Sequence, residues 1–230
     1  MAAREPWLSR PVGEREIRLI DIEPANDFNE DVRINLRVVS LDTGERYQAL
    51  SYAWESQDAT EVITCGTHEV KVTPTLLAAL KRIREKNGWR NFDLVVWADG
   101  ICIDQGNAAE KSQQVQMMGE IFSKARRLII WLGEASIEEQ EEFLNALDLS
   151  MPIKQRRQSL LDLSRKQWFQ RRWVIQEVLL SKRGRRHALL GPTWKHFLAL
   201  LAAYEQTFRT RDTCPELTHA PLLQLHCTEM

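Results

Sequence analysis

Two stretches of the chain carry residue types that can do chemistry. In the first, the apolar run Leu94-Val95-Val96-Trp97 leads into Ala98-Asp99-Gly100-Ile101-Cys102-Ile103-Asp104-Gln105. Two carboxylates, a glycine and an amide therefore stand where a strand buried on both faces should end. In open α/β sheets, ligands gather outside the carboxyl ends of the strands, which makes Asp99 and Asp104 candidate site residues. The competing reading is that both simply cap the turn and the next helix. The second stretch is Gln167-Trp168-Phe169-Gln170-Arg171-Arg172-Trp173-Val174-Ile175-Gln176-Glu177-Val178-Leu179-Leu180. As a helix it puts Phe169, Trp173, Gln176 or Glu177, and Leu180 on one face, with Trp168, Ile175 and Leu179 widening the apolar arc. At three and four residues from Glu177 stand Trp173, Val174, Leu180 and Ser181, none of them a cation. A buried carboxylate without a partner is costly, holds its proton tightly, and is often functional. The alternative is a tertiary ion pair to one of the chain's many arginines.

Other chemistries lack their signatures. No two glycines have G-x-G spacing, no phosphate loop ends in Gly-Lys-Ser/Thr, and no Gly-x-Ser-x-Gly elbow occurs. Cys65 and His68 form a C-x-x-H pair, and Cys214, His219, His226 and Cys227 cluster near the end, at spacings of no standard zinc module; no metal is expected. Net charge is −1, from 31 basic against 32 acidic residues, so no overall field draws the chain to nucleic acid. The basic clusters, including Arg126-Arg127, Arg156-Arg157 and Arg171-Arg172, read as solvated faces. No apolar run suffices for a membrane span, the N-terminus lacks an apolar signal core, and the four cysteines are scattered. A cytoplasmic protein with reduced thiols is the expectation.

The elements that must position these residues follow a βα pattern. Ile17–Ile22 and Val32–Leu41 read as strands of an N-terminal β segment, residues 1–46. Tyr47-Gln48-Ala49-Leu50-Ser51-Tyr52-Ala53-Trp54 is strand-like, and a hairpin is expected across Val62–Val70. Thr73 as N-cap with Pro74 at the first helical position starts a helix that Asn87-Gly88 ends. A central strand over Leu94–Ile101 follows. The next helix opens at Asn107, with Glu110 placed for a capping box. Leu128–Leu132 is another buried strand. Helices are expected near 137–149 and from Arg157 to Leu180, separated by Pro152. A short strand at Arg186–Leu190 precedes a last helix from Thr193 through Phe208. Strands alternating with helices indicate a mainly parallel α/β sheet with flavodoxin-like winding.

Taken together these blocks resemble the HET (heterokaryon incompatibility) domain of filamentous fungi. The resemblance is carried by Tyr47–Trp54, by Trp97–Gln105, by Glu110–Gly133 with Gln114-Val115, Met118, Ile121-Phe122, Ala125 and Trp131-Leu132-Gly133, and by Trp168-Phe169-x-Arg171-Arg172-Trp173-Val174-Ile175-Gln176-Glu177. Three departures stand out: Glu55 replaces the family's usual glycine, and Gly100 and Asp104 replace the commoner alanine and asparagine. Residues 210–230 have no clear period and read as a tail or a truncated continuation. The resemblance implies a HET domain over residues 47–209 and a distant similarity to TIR domains, hence a TIR-like sheet flanked by helices.

Many TIR domains hydrolyse NAD through a glutamate in a W-x-x-x-E motif, the spacing of Trp173 and Glu177 here. The resemblance thus implies a fungal non-self recognition and programmed cell death effector that cleaves the nicotinamide–ribose bond of NAD+. Glu177 would be catalytic, and Ser51, Tyr52, Trp54, Asp99, Asp104 and Trp173 would shape the binding site. A carboxylate can stabilise oxocarbenium character, and nicotinamide leaves well, so NAD+ would be the substrate and no cofactor would be required. Self-association and an upstream recognition domain or protein are the implied partners. The alternative is a non-enzymatic death-signalling module that acts by self-association or recruitment.

Overall fold

A parallel group of short, apolar strands forms the centre of the computed structural model. The structure describes residues 10–54, 58–85, 94–148, 150, 152–171, 177–178, 180–181, 186–190 and 193–196. In chain order the strands are β1 (Glu16–Ile22), β2 (Arg33–Ser40), β3 (Gln48–Tyr52), β4 (Glu61–Cys65), β5 (His68–Val72), β6 (Val95–Trp97), β7 (Arg127–Trp131), β8 (Arg186–Leu190) and β9 (Thr193–His196). They make one sheet in the order β5-β4-β2-β1-β6-β3-β7-β8-β9. β3 runs parallel to both β6 and β7, and β7 runs parallel to β8. Counted from β3, the group β6-β3-β7-β8 has the order 2-1-3-4, as expected for a flavodoxin-like α/β winding. All five residues of β3 are buried, as in a central strand whose two faces are both covered, and pairing on both sides leaves it no free edge.

The N-terminal strands belong to the same sheet. β1 pairs antiparallel with β2 on one side and with β6 on the other, with Ile20 opposite Val96. The hairpin of β4 and β5 extends the sheet through a parallel pairing of β4 with β2.

The helices begin where their caps dictate. α1 (Pro74–Arg84) starts after Thr73, whose Oγ1 accepts the Leu76 N–H at 3.2 Å, and it buries Leu76, Ala79, Leu80 and Ile83. Asn87 and Gly88, expected to stop it, lie outside the described residues. α3 (Ala108–Lys124) is capped by the Asn107 side chain, which accepts from the N–H groups of Ala109 and Glu110. α4 (Ile137–Leu147) has a full capping box between Ser136 and Glu139. Phe122 of α3 meets Trp97 edge-on, with ring centroids 5.6 Å apart.

Four expectations from the sequence are corrected. The strand expected to reach Ile101 ends at Trp97, and Asp99–Cys102 forms a helical turn, α2. The Cys102 N–H closes this turn on the Ala98 carbonyl at 2.8 Å, burying Ile101 and Cys102 without a strand; a short apolar run looks the same in either case. The helix expected from Arg157 to Leu180 is broken. α5 (Ile153–Ser164) closes with three-residue bonds from Arg165 and Lys166, and a 3-10 turn at Gln167–Gln170 follows. That turn buries the adjacent Trp168 and Phe169, whose rings meet edge-on at 5.0 Å. Thr193 opens β9, not a helix, with Leu190 opposite Thr193 and Leu189 opposite Trp194. β-branched and aromatic residues suit this pairing. Finally, Glu110 does not reach back to Asn107 but forms a buried ion pair with Arg18.

That ion pair fastens β1 to the segment between α2 and α3. Arg18 is fully buried, and its guanidinium meets the two carboxylate oxygens of Glu110 at 2.5 and 3.1 Å. It also donates to the Cys102 carbonyl at 3.1 Å, while Glu110 accepts the Asp104 N–H at 2.8 Å. Removing one partner of a buried pair leaves an uncompensated charge, whereas replacing both by apolar groups is far less costly. Arg18→Met is expected to cost about 3–5 kcal/mol in denaturant unfolding, with most of it recovered in Arg18→Met/Glu110→Leu. A loss in the single variant below about 1 kcal/mol, the range of exposed pairs, would contradict a sealed ion pair.

Candidate functional site

The carboxyl end of β3 puts Ser51 and Tyr52 in place. Consecutive strand residues point to opposite faces, and these two, both buried, serve two different carboxylates. Tyr52 reaches Asp99, where burial and the adjacent carboxylate push the phenol well above its usual range. A Cβ added at Gly100 would lie 2.4 Å from the Tyr52 hydroxyl oxygen. Glycine is therefore the residue that lets α2 pass beneath that hydroxyl.

Ser51 serves Glu177. Its hydroxyl donates to Glu177 Oε2 and accepts the Trp168 indole N–H at 2.7 Å. Arg171 donates to Glu177 Oε1 at 3.0 Å and Oε2 at 3.3 Å, and to Ser51 Oγ at 3.3 Å. Glu177 is only 1% exposed. Burial pushes its carboxyl above the usual range, with Asp99 adding to the effect, against the pull of Arg171 and Ser51. The reading of Glu177 as partnerless is corrected: the tertiary ion pair to an arginine is what the fold provides. Arg171 lies six residues before Glu177, outside the helical-neighbour positions, so helical spacing does not pair them.

Beside this cluster lies a cleft of about 580 Å³, within the range of small-molecule sites. One wall is the strand ends and the loop after α2, with Ala53, Trp54, Asp99, Ile103 and Gln105. A second is the α3 face with Lys111, Val115 and Met118, and a third is Gln167, Gln170 and Arg171. Trp54 is 40% exposed, and its indole N–H is shared between both Asp99 oxygens at 3.1 Å. Gln105 Nε2 donates to the Asp99 carbonyl at 2.8 Å, which fixes the amide's orientation. Its Oε1 is buried with no partner among the described residues. Burial also raises the Asp99 carboxyl, against Arg171, Trp54 and Tyr52.

The site residues named from the sequence thus fall into groups. Trp54 and Asp99 line the cleft. Ser51 and Glu177 sit behind it, joined to it through Arg171, and Tyr52 lies beneath Asp99. Asp104 is buried and accepts the Gly106 N–H at 3.1 Å, so it forms the turn before α3 and is not a lining residue. Trp173 and Glu55 lie outside the described residues. Lys111 and Arg171 are not among the candidates that the sequence offers, and Gln105 is so only as the amide past the central strand. The sequence places Arg171, like the buried Arg156, in a solvated basic cluster. Its side chain is instead 18% exposed and ion-paired. No group of three or more His, Cys, Asp or Glu among the described residues is placed to hold a metal ion, and Cys214, His219, His226 and Cys227 lie outside them. No described helix is long and apolar enough to cross a membrane.

Comparisons with known proteins bear on this same region. The family model described as "Heterokaryon incompatibility protein (HET)" matches residues 47–177, from the residue before β3 to the buried glutamate. "Heterokaryon incompatibility protein 6, OR allele" of Neurospora crassa is 31% identical over 140 residues, covering 57% of this chain and 20% of that protein. The match therefore spans about a fifth of that relative's length. No solved structure matches.

The buried carboxylate has a measurable pH signature. A group whose folded pKa is raised contributes stability that is complete below its unfolded pKa and lost as pH rises through the folded value. The stability of the protein minus that of Glu177→Gln, whose amide does not titrate, is thus expected to fall as pH is raised from about 4 to about 8. Denaturant unfolding across that range measures it. A difference that rises instead would mean that Arg171 outweighs burial and depresses the pKa.

Proposed function

The chain belongs to the heterokaryon incompatibility (HET) family, and from that premise we propose that it is a fungal non-self recognition and cell death effector domain that cleaves NAD+ at the nicotinamide–ribose bond. The observation that carries this reading is the placement of Glu177. It is a buried carboxylate held by Ser51 at the carboxyl end of β3, and it shares Arg171 with the adjoining cleft. Breaking the nicotinamide–ribose bond develops positive charge on the ribose. A carboxylate fixed in a site of low dielectric stabilises that charge far more than one in water.

In this reading the cleft holds the dinucleotide. Trp54 offers an aromatic surface, Asp99 keeps that ring in place, and Arg171 holds Glu177 until substrate arrives. The relationship to TIR domains, and with it the W-x-x-x-E pair of Trp173 and Glu177, is part of the proposal.

A second reading has an observation of its own. Glu177 is fully engaged by Ser51 and Arg171, which is what a purely structural ion pair looks like. The domain would then signal by self-association or by recruiting a partner. Release of nicotinamide from NAD+ by the pure protein, at high concentration so that assemblies form, separates the two. Turnover reduced by about 10²–10³-fold in Glu177→Gln is expected, together with loss of toxicity in fungal cells. Undiminished toxicity of the Glu177→Gln protein would sink the catalytic reading in favour of the second.

A further inference from the structure

The charge of the cleft wall differs from that of the whole molecule. Among the described lining residues there are two cations, Lys111 and Arg171, and one carboxylate, Asp99, while the chain as a whole carries −1. The Asp99 oxygens are already occupied by the Trp54 indole N–H and reached by the Tyr52 hydroxyl. Lys111 is exposed and forms no salt bridge among the described residues. Arg171 holds Glu177 with its two terminal nitrogens, and a guanidinium has five N–H donors, so its capacity is not exhausted. The lining also has an apolar part, Ile103, Val115 and Met118, together with the half-exposed Trp54 ring. That ring is fixed by its bond to Asp99, so a flat aromatic group can pack on it with little further loss of side-chain freedom.

We infer that Lys111 and Arg171 form the phosphate-binding end of a nucleoside phosphate site whose base packs against Trp54, and that Glu177 competes with the phosphate for Arg171. This inference rests on the cleft being the substrate site, but it does not require any bond to be cleaved there. Among the described residues, Arg171 is the one shared by the buried cluster and the cleft. A phosphate that draws on its charge therefore weakens its hold on Glu177. By the reciprocity of linkage, neutralising Glu177 strengthens its hold on phosphate.

Calorimetric titration of the full chain with AMP, and with adenosine as the phosphate-free probe, tests both parts. Lys111→Met, at an exposed position, is expected to weaken AMP binding about tenfold, in the range of a charge-assisted hydrogen bond, and to leave adenosine binding unchanged. Glu177→Gln is expected to tighten AMP binding several-fold while adenosine again does not change. Thermal unfolding of both variants confirms that they are folded; should Glu177→Gln not fold, the Lys111→Met arm decides alone. Equal AMP affinity in the protein and in Lys111→Met overturns the inference, as does AMP binding no tighter than adenosine binding. Weaker AMP binding by a folded Glu177→Gln overturns the competition. If AMP behaves as expected but NAD+ is not turned over, the catalytic reading fails and this site stands. If NAD+ is turned over but Lys111→Met is silent, the reverse holds.

Discussion

A carboxylate with 1% exposure cannot remain charged inside a protein unless other groups replace the water it has lost. For Glu177 those groups are the Arg171 guanidinium and the Ser51 hydroxyl, the latter steadied by the Trp168 indole. They come from the end of β3 and from the segment after α5, and Ser51 lies 126 residues before Glu177 in the chain. The C-terminal part of the family region is therefore fastened to the centre of the sheet by a single charge and the donors it needs. The 3-10 turn at Gln167–Gln170 directly precedes Arg171 and buries Trp168, whose indole N–H donates to Ser51 beside the ion pair.

A second buried pair, Arg18 with Glu110, plays the matching role on the other side of the cleft. It joins β1, which precedes the residues matched by the family model, to the segment that leads from α2 into α3. The two pairs differ in one respect that matters for function. Arg18 is fully buried, whereas Arg171 keeps 18% of its side chain exposed and lines the cleft. One pair is a permanent fastening; the other stands where a ligand can reach it. Arg18 and Glu110 tie α3 and the loop after α2 to β1, while Arg171 lines the cleft.

Much of this was legible in the chain. The strand at Tyr47–Trp54 and the helix behind Thr73-Pro74 follow from local pattern and caps, and so does the α/β alternation. Asp99, two residues past β6, lines the cleft, and its place there was legible because polar residues following a buried strand fall at the carboxyl end of such sheets. Asp104 was equally acidic and equally near, but its turn-forming bond to Gly106 depends on backbone geometry that residue type does not reveal. The α2 turn was hidden because a short apolar run suits a strand and a buried turn alike. Arg171 was hidden because neighbours on a helix are counted at three and four residues, and this partner sits at six. Arg18 and Glu110 lie 92 residues apart, and no local rule joins them.

The central claim is that Glu177 acts on a ligand held in the adjoining cleft. A crystal structure of the protein with ADP-ribose, which keeps the ribose and both phosphates of NAD+, tests it most directly. The account predicts the phosphates against Lys111 and Arg171, the adenine against Trp54, and the Glu177 carboxylate within hydrogen-bonding distance of the ribose. ADP-ribose bound elsewhere, or bound in the cleft with Glu177 still closed off behind Arg171 and Ser51, would contradict it.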